Sequence, residues 1–154
     1  MIGQELQWKK LELEVINSKM TKKVAHVSGT RKRAIARVTI SEGKGIVRIN
    51  NQALDEYGNE IARMKIKEPL YIAGDLAKNT NIKARVNGGG WQSQAEAVRL
   101  GIARGLVEFS KSDKLKKQFL EYDRHLLVAD VRRTEVTKPN DSGSARAKRQ
   151  KSYR

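Results

Sequence analysis

Cations carry most of the chemistry available to this sequence, and they are concentrated in two places. Residues 20 to 40 hold Lys22, Lys23, Arg31, Lys32, Arg33 and Arg37 with no acid among them, a net charge of +6. Residues 132 to 154 hold Arg132, Arg133, Lys138, Arg146, Lys148, Arg149, Lys151 and Arg154 against only Glu135 and Asp141, again +6. These two stretches supply 12 of the 15 net positive charges of the 154-residue chain, so the intervening residues have an ordinary charge balance. Clustered Lys and Arg neutralise phosphates, so the chemistry points to a polyanion, with nucleic acid ahead of a membrane surface. Gly88-Gly89-Gly90 is a third feature. Bare backbone and helix-start N–H groups favour phosphate, and the same glycines equally suit a tight strand-to-helix turn packed on neighbouring backbone.

Other chemistries find no support. The chain has no Cys, which removes disulfides, thiolate zinc sites and cysteine nucleophiles, and its two histidines, His26 and His125, are far apart and too few for a typical metal site. Asp55, Glu56, Glu60, Asp75, Asp123 and Asp130 are scattered without a spacing that pairs two carboxylates on one face, so no catalytic constellation is expected and no cofactor is implied. The pair Gly43 and Gly45 lacks the Gly-Lys-Ser/Thr ending of a phosphate loop and reads as a turn. No apolar run approaches the roughly 18 residues that span a bilayer, and no apolar leader opens the chain, which reads as cytosolic.

The elements that must position these residues follow from hydrophobic period. Residues 34–40 alternate, with Ala34, Ala36, Val38 and Ile40 on one face and Ile35, Arg37 and Thr39 on the other. Ile46 to Asn50 alternates again after the Gly43/Gly45 turn, predicting a hairpin. A third strand over 80–86 puts Ile82, Ala84 and Val86 inward, leaving Lys83 and Arg85 outward. Residues 60–75 read as a helix, or a short strand plus helix, with Pro69 near a first helical turn. Ser93 and Glu96 stand at capping-box spacing and predict a helix start there. Ala95, Val98, Ile102, Leu106 and Phe109 then form one apolar stripe, with Arg99, Arg104 and Glu108 off it, and Leu115 to Tyr122 is a second amphipathic segment. Residues 137–154 contain only Ala145, Ala147 and Tyr153 as apolar side chains, so they build no core and read as an extended basic arm.

Four blocks, in order, resemble one family. Ser28-Gly29-Thr30-Arg31-Lys32-Arg33-Ala34-Ile35-Ala36-Arg37-Val38 is similar to the GxRKxAxARV opening of the universal small-subunit ribosomal protein family nine. Gly88-Gly89-Gly90 with Gln94, Ala95, Arg99 and 101–106 resembles its glycine block; Leu126-Leu127, Asp130, Arg132-Arg133 and Glu135 resemble its LLxxDxRRxE block. Residues 145–154 look like the archaeal and eukaryotic-type ending. The sequence departs from the family pattern at Ser93, where bacterial members usually have Gly, at Val131, where archaeal-type members commonly have Pro, and in the less basic linker 137–143.

The resemblance implies an α+β fold, a small sheet packed on helices as in the second domain of small-subunit ribosomal protein five, with a long extended basic C-terminal arm. It implies a non-enzymatic constituent of the small-subunit head that binds the 3′ major domain of the small-subunit rRNA, contacts neighbouring head proteins, and engages neither a membrane nor a small-molecule substrate. The rRNA set expected on this basis is Arg31, Lys32, Arg33, Arg37, Lys83, Arg85, Gly88, Gly89, Gly90, Arg99, Arg132, Arg133, Arg146, Lys148 and Arg149. Lys151, Ser152, Tyr153 and Arg154 match the positions that touch the peptidyl-site tRNA anticodon stem-loop. The expected organisation is an RNA-binding domain over 20–131 and a tail over 132–154. Residues 1–19 precede the match and read as an N-terminal extension or as a start assigned too early, since Met20-Thr21-Lys22-Lys23 resembles a normal beginning. Two other classes stay open: a subunit of an RNA-processing enzyme, for which the ribonuclease P protein has a similar fold type but lacks the glycine block and this ending, and a free DNA-compacting protein.

Overall fold

The computed structural model describes residues 23–137 and Ala145. Five strands form, the longer ones from alternating apolar residues: β1 (Val24–Arg31), β2 (Ala34–Glu42), β3 (Val47–Ile49), the short exposed β4 (Gln52–Ala53) and, after the helical segment, β5 (Thr80–Asn87). Between β4 and β5 lie α1 (Glu60–Ala73) and the single-turn α2 (Asp75–Lys78); α3 (Trp91–Ser110) and α4 (Asp113–Tyr122) follow β5. A 3₁₀ turn over Arg124–Leu126 closes the described secondary structure. The α+β class expected from the sequence is therefore present, with one sheet packed on helices.

The sheet order is β1-β2-β5-β3-β4. β1 and β2 form a tight antiparallel pair through the Lys32-Arg33 turn, and β5 adds antiparallel to β2. The expected hairpin between β2 and β3 is not formed, because β5 lies between them and pairs in parallel with β3. The 43–46 connection wraps the start of β5 instead. Gly43 donates to the Asn79 carbonyl at 3.0 Å, and the amides of Lys44 and Ile46 donate to Asn81 Oδ1 at 2.9 and 3.2 Å. Those N–H groups are consumed within the fold, as a turn requires and a phosphate loop does not.

One face of the sheet is buried. Ala36, Val38 and Ile40 of β2 and Ile82, Ala84 and Val86 of β5 meet Ala95, Val98, Ile102 and Leu106 of α3, and Ile66 and Phe119 complete the core from α1 and α4. The predicted stripe on α3 is buried along its whole length, and a second side of the helix, Ala97, Gly101 and Gly105, is buried too. Small residues there let α3 sit close on β1 and β2: a Cβ on Gly29 would lie 2.1 Å from the Ala97 carbonyl oxygen.

Two helix expectations need correction. Pro69 lies ten residues into α1, far from its first turn, and is buried; the helix runs through it to Ala73. A proline removes a single helical hydrogen bond, and its apolar ring offsets part of that loss by packing in the core. The α3 start lies at Trp91 with Gly90 as N-cap, and Ser93 makes no capping bond. Glu96 is drawn away by Arg31 and Lys65, whose cationic donors outcompete a backbone amide. After α4, residues 131–137 form neither helix nor strand and every one is exposed. Among the described residues no helix is long and apolar enough to cross a membrane.

Candidate nucleic-acid interface

Strand parity sorts the cations into two populations. On the sheet face opposite α3, β2 presents Arg37, β5 presents Lys83 and Arg85, and β3 presents Arg48, all exposed. Arg37 stands directly across from Arg85, Lys83 across from Thr39 on one side and Arg48 on the other. Ser28 faces Arg37, and the His26 ring, exposed on β1, is hydrogen-bonded through Nδ1 to Thr39 Oγ1 at 3.0 Å. The four cations have no acid partner among the described residues. Like charges directly opposed on a sheet destabilise by about 0.2–1 kcal/mol per pair. Opposed cations without a counter-charge among the described residues form a surface suited to a polyanion.

This face continues into the end of the sheet where Lys32 and Arg33 turn, both exposed, beside the glycine triplet. Ile35 pairs with Asn87, so the β1–β2 turn and Gly88–Gly90 share one edge. Gly88 has φ +79°, and a Cβ there would lie 2.5 Å from the Arg33 carbonyl oxygen; Gly89 has φ +67°. These two glycines are demanded by backbone geometry. Gly90 is different: its φ of −96° suits any residue, and a Cβ would meet nothing within 4 Å. It leaves the first amides of α3 uncovered, in a turn that carries no acid. Those amides carry the positive end of the helix dipole. Trp91, about half exposed, follows immediately and offers a stacking surface. Gln94 steadies the loop by donating from Nε2 to the Gly88 carbonyl at 3.2 Å.

Arg31 and Arg99, both expected in the rRNA set, belong to the second population, whose side chains turn into ion pairs with acids of the chain. Arg31 shares the inward parity of Ala25, Val27 and Gly29, so it faces α3. Its Nε donates to Glu96 Oε2 at 2.7 Å and its Nη2 reaches Asp130 Oδ2 at 3.2 Å. Arg99 bridges Asp123 at 2.9 Å and Glu68, tying α3 to α1 and to the end of α4. Arg104, off the apolar stripe, donates to the carbonyls of Leu127 at 2.7 Å and Ser28 at 3.3 Å. Burial pushes the Glu96 and Asp123 carboxyls up, but Arg31 and Lys65 in the first case, and the His125 amide and Arg99 in the second, outweigh it and hold both below their usual range. The Arg132 side chain and amide hold Asp130 well below the carboxylate range.

Arg132 is exposed and folds back on Asp130 at 2.6 Å, leaving its outer edge on the surface, and Arg133 is exposed beside it. Arg146, Lys148, Arg149, Lys151, Ser152, Tyr153 and Arg154 lie outside the described residues. Arg48 and Trp91 were not singled out by sequence reasoning. The alternation of Val47 and Ile49 around Arg48, and an aromatic directly after three glycines, carried the signal for them. Among the described residues no three His, Asp or Glu side chains converge on a metal position.

Comparison with known proteins adds an independent finding. Residues 29–154 match the family described as ribosomal protein S9/S16. Over 132 residues the chain is 54% identical to the small ribosomal subunit protein uS9 of Desulfurococcus amylolyticus, covering 86% of this chain and 94% of that protein. It is 47% identical over 133 residues to the uS9 protein of Methanococcus maripaludis strain C7, covering 86% of this chain and 99% of that one.

Proposed function

The chain belongs to the ribosomal protein S9/S16 family, and from that membership we propose that it is a structural, non-catalytic constituent of the small ribosomal subunit, holding rRNA in the cytoplasmic ribosome. The observation that carries the reading is the face of Arg37, Arg48, Lys83 and Arg85, free of acids among the described residues and continuous with Lys32, Arg33 and the glycine-led start of α3. Cations on neighbouring strands, about 5 Å apart, suit consecutive phosphates of folded RNA read by shape and backbone rather than by base edges.

The finer reading assigns the domain over 20–131, of the kind found in the second domain of small-subunit ribosomal protein five, to the 3′ major domain of the rRNA in the subunit head, beside neighbouring head proteins. The tail over 132–154 is the arm. Arg132, Arg133, Arg146, Lys148 and Arg149 line its path along rRNA, and Lys151, Ser152, Tyr153 and Arg154 touch the anticodon stem-loop of peptidyl-site tRNA. What supports this is the coreless, basic composition of the tail and the full exposure of residues 131–137 from which it departs. Arg154 offers a forked guanidinium that a lysine does not reproduce on a phosphate.

Sedimentation of the tagged full-length protein tests the reading. In a lysate washed at about 0.5 M salt, where the Debye length falls to a few ångström, the protein is expected to stay with the small subunit. Release as free protein, or co-migration with all nucleic acid until the wash, would exclude an integral subunit protein and favour a free polyanion binder.

A further inference from the structure

The structure gathers its partly buried ion pairs where the chain leaves the domain. Between Asp123 and Asp130 the backbone is fastened four times: Asp123 to Arg99 at 2.9 Å, Leu126 in the core, the Leu127 carbonyl to Arg104 at 2.7 Å, and Asp130 to Arg31 at 3.2 Å. Immediately beyond, from Val131 to Thr137, every residue is exposed and none lies in a helix or strand. We propose that Arg31 and Asp130 form a clamp that sets the direction in which the basic arm leaves the domain, which makes them positioning residues for the arm's RNA contact. The proposal rests on the reading of residues 132–154 as an RNA-reaching arm.

The clamp is built back into the fold. Glu96 holds Arg31 Nε through one oxygen and Lys65 Nζ, at 3.1 Å, through the other, so Asp130 is linked through β1 to α3 and α1. The side chains of Arg31 and Asp130 are only 16% and 12% exposed, which shields their attraction from the screening that weakens surface pairs. Asp130 also shapes the exit: Oδ1 accepts from the Arg132 amide at 2.9 Å, turning the backbone, while Oδ2 accepts from Arg132 Nη2 at 2.6 Å. An Asp accepting from the amide two residues on makes a local turn without help from the rest of the fold. The planar guanidinium of Arg31 serves Glu96 and Asp130 at once from different donors, which an ammonium holds less rigidly.

Because the chain has no cysteine, Gln150→Cys in the full-length protein, at a position assigned no RNA contact, accepts a single tethered iron–EDTA, and hydroxyl-radical cuts in assembled small subunits carrying tRNA report where the end of the arm lies. The parent is expected to give one sharp cluster of cuts. Asp130→Asn and Arg31→Gln should each lower the principal cuts by about fivefold and spread them, with the double variant no worse than the poorer single, as for two residues acting as one unit. Incorporation into subunits is measured alongside, and Asp75→Asn, which breaks an exposed pair with Lys78, should leave the pattern sharp. Cuts equally sharp in the Asp130→Asn variant, or a diffuse pattern in the parent, would overturn the clamp. Sharp cuts away from the tRNA anticodon would instead overturn the arm's destination, leaving the clamp to be judged by sharpness alone.

Discussion

Arg31 and Arg37 are six residues apart, both basic and both in strands, yet they do opposite work because they differ in parity. Arg31 points to α3 and meets Glu96 and Asp130; Arg37 points away and meets Arg85. Arg31→Gln and Arg99→Gln should therefore lower the thermal midpoint, since each removes a cationic partner from two partly buried carboxylates, a loss of about 1–3 kcal/mol. Arg99→Gln should leave the salt dependence of binding to small-subunit particles lacking this protein almost unchanged. The combined Arg37→Gln, Lys83→Gln and Arg85→Gln variant should do the reverse: a midpoint equal to the parent or slightly higher, and a log–log salt slope shallower by about 2–3, near 0.7–0.9 for each phosphate left without its cation. The internal carboxylates also set the acid response. Glu96, Asp123 and Asp130 all have folded pKa values held below their ordinary ones. Their contribution is thus fully present above the ordinary carboxylate range and is lost as pH falls through the depressed folded values. Denaturant unfolding at pH 7 and near pH 3 should show a fall in stability that Glu96→Gln makes shallower, because that variant has already lost its share.

At the scale of the element, the glycine triplet divides into two structural positions and one free one. Gly88→Ala places a Cβ against the Arg33 carbonyl at a positive φ and should destabilise by about 1–3 kcal/mol. Gly90→Ala meets nothing and should cost less than about 1 kcal/mol as an N-cap change. Paired thermal and binding measurements separate them: if the α3 amides receive a phosphate as proposed, Gly90→Ala should weaken particle binding by more than its small loss of stability explains. Much of this architecture was legible in the sequence. β2, β5, α3 and α4 followed from local period, because a half-buried face imposes its repeat on neighbouring residues. What escaped reading was non-local. Nothing between Glu42 and Ile46 announces that β5, almost forty residues on, will separate β2 from β3. Ser93 and Glu96 have the spacing of a capping box, but Arg31 and Lys65 from other elements claim the carboxylate. Pro69 reads as a helix start until burial against the core is known. The same non-locality hid the fate of Arg31 and Arg99, whose acid partners lie between 24 and 99 residues away.

Across the whole molecule the charge is allotted by layer. Among the described residues the sheet's outer face and the glycine end carry exposed cations without acids, and the helix-covered side carries cations matched by Glu96, Glu68, Asp123 and Asp130; the sequence from 132 on is basic and has few apolar residues. The net charge of +15 opposes compaction in the free protein and favours the RNA-bound state, where phosphates replace self-repulsion with attraction. RNA is expected on the sheet side of the protein and not on the helix side. Ultraviolet crosslinking of intact small subunits, with the crosslinked peptides identified by mass spectrometry, distinguishes the two sides. RNA adducts are expected in the peptides around Lys32–Arg37, Lys83–Trp91 and the basic tail, with the α1 surface around Met64 and Tyr71 left unmodified. Adducts concentrated on that α1 surface, with the sheet-face peptides free, would contradict that expectation.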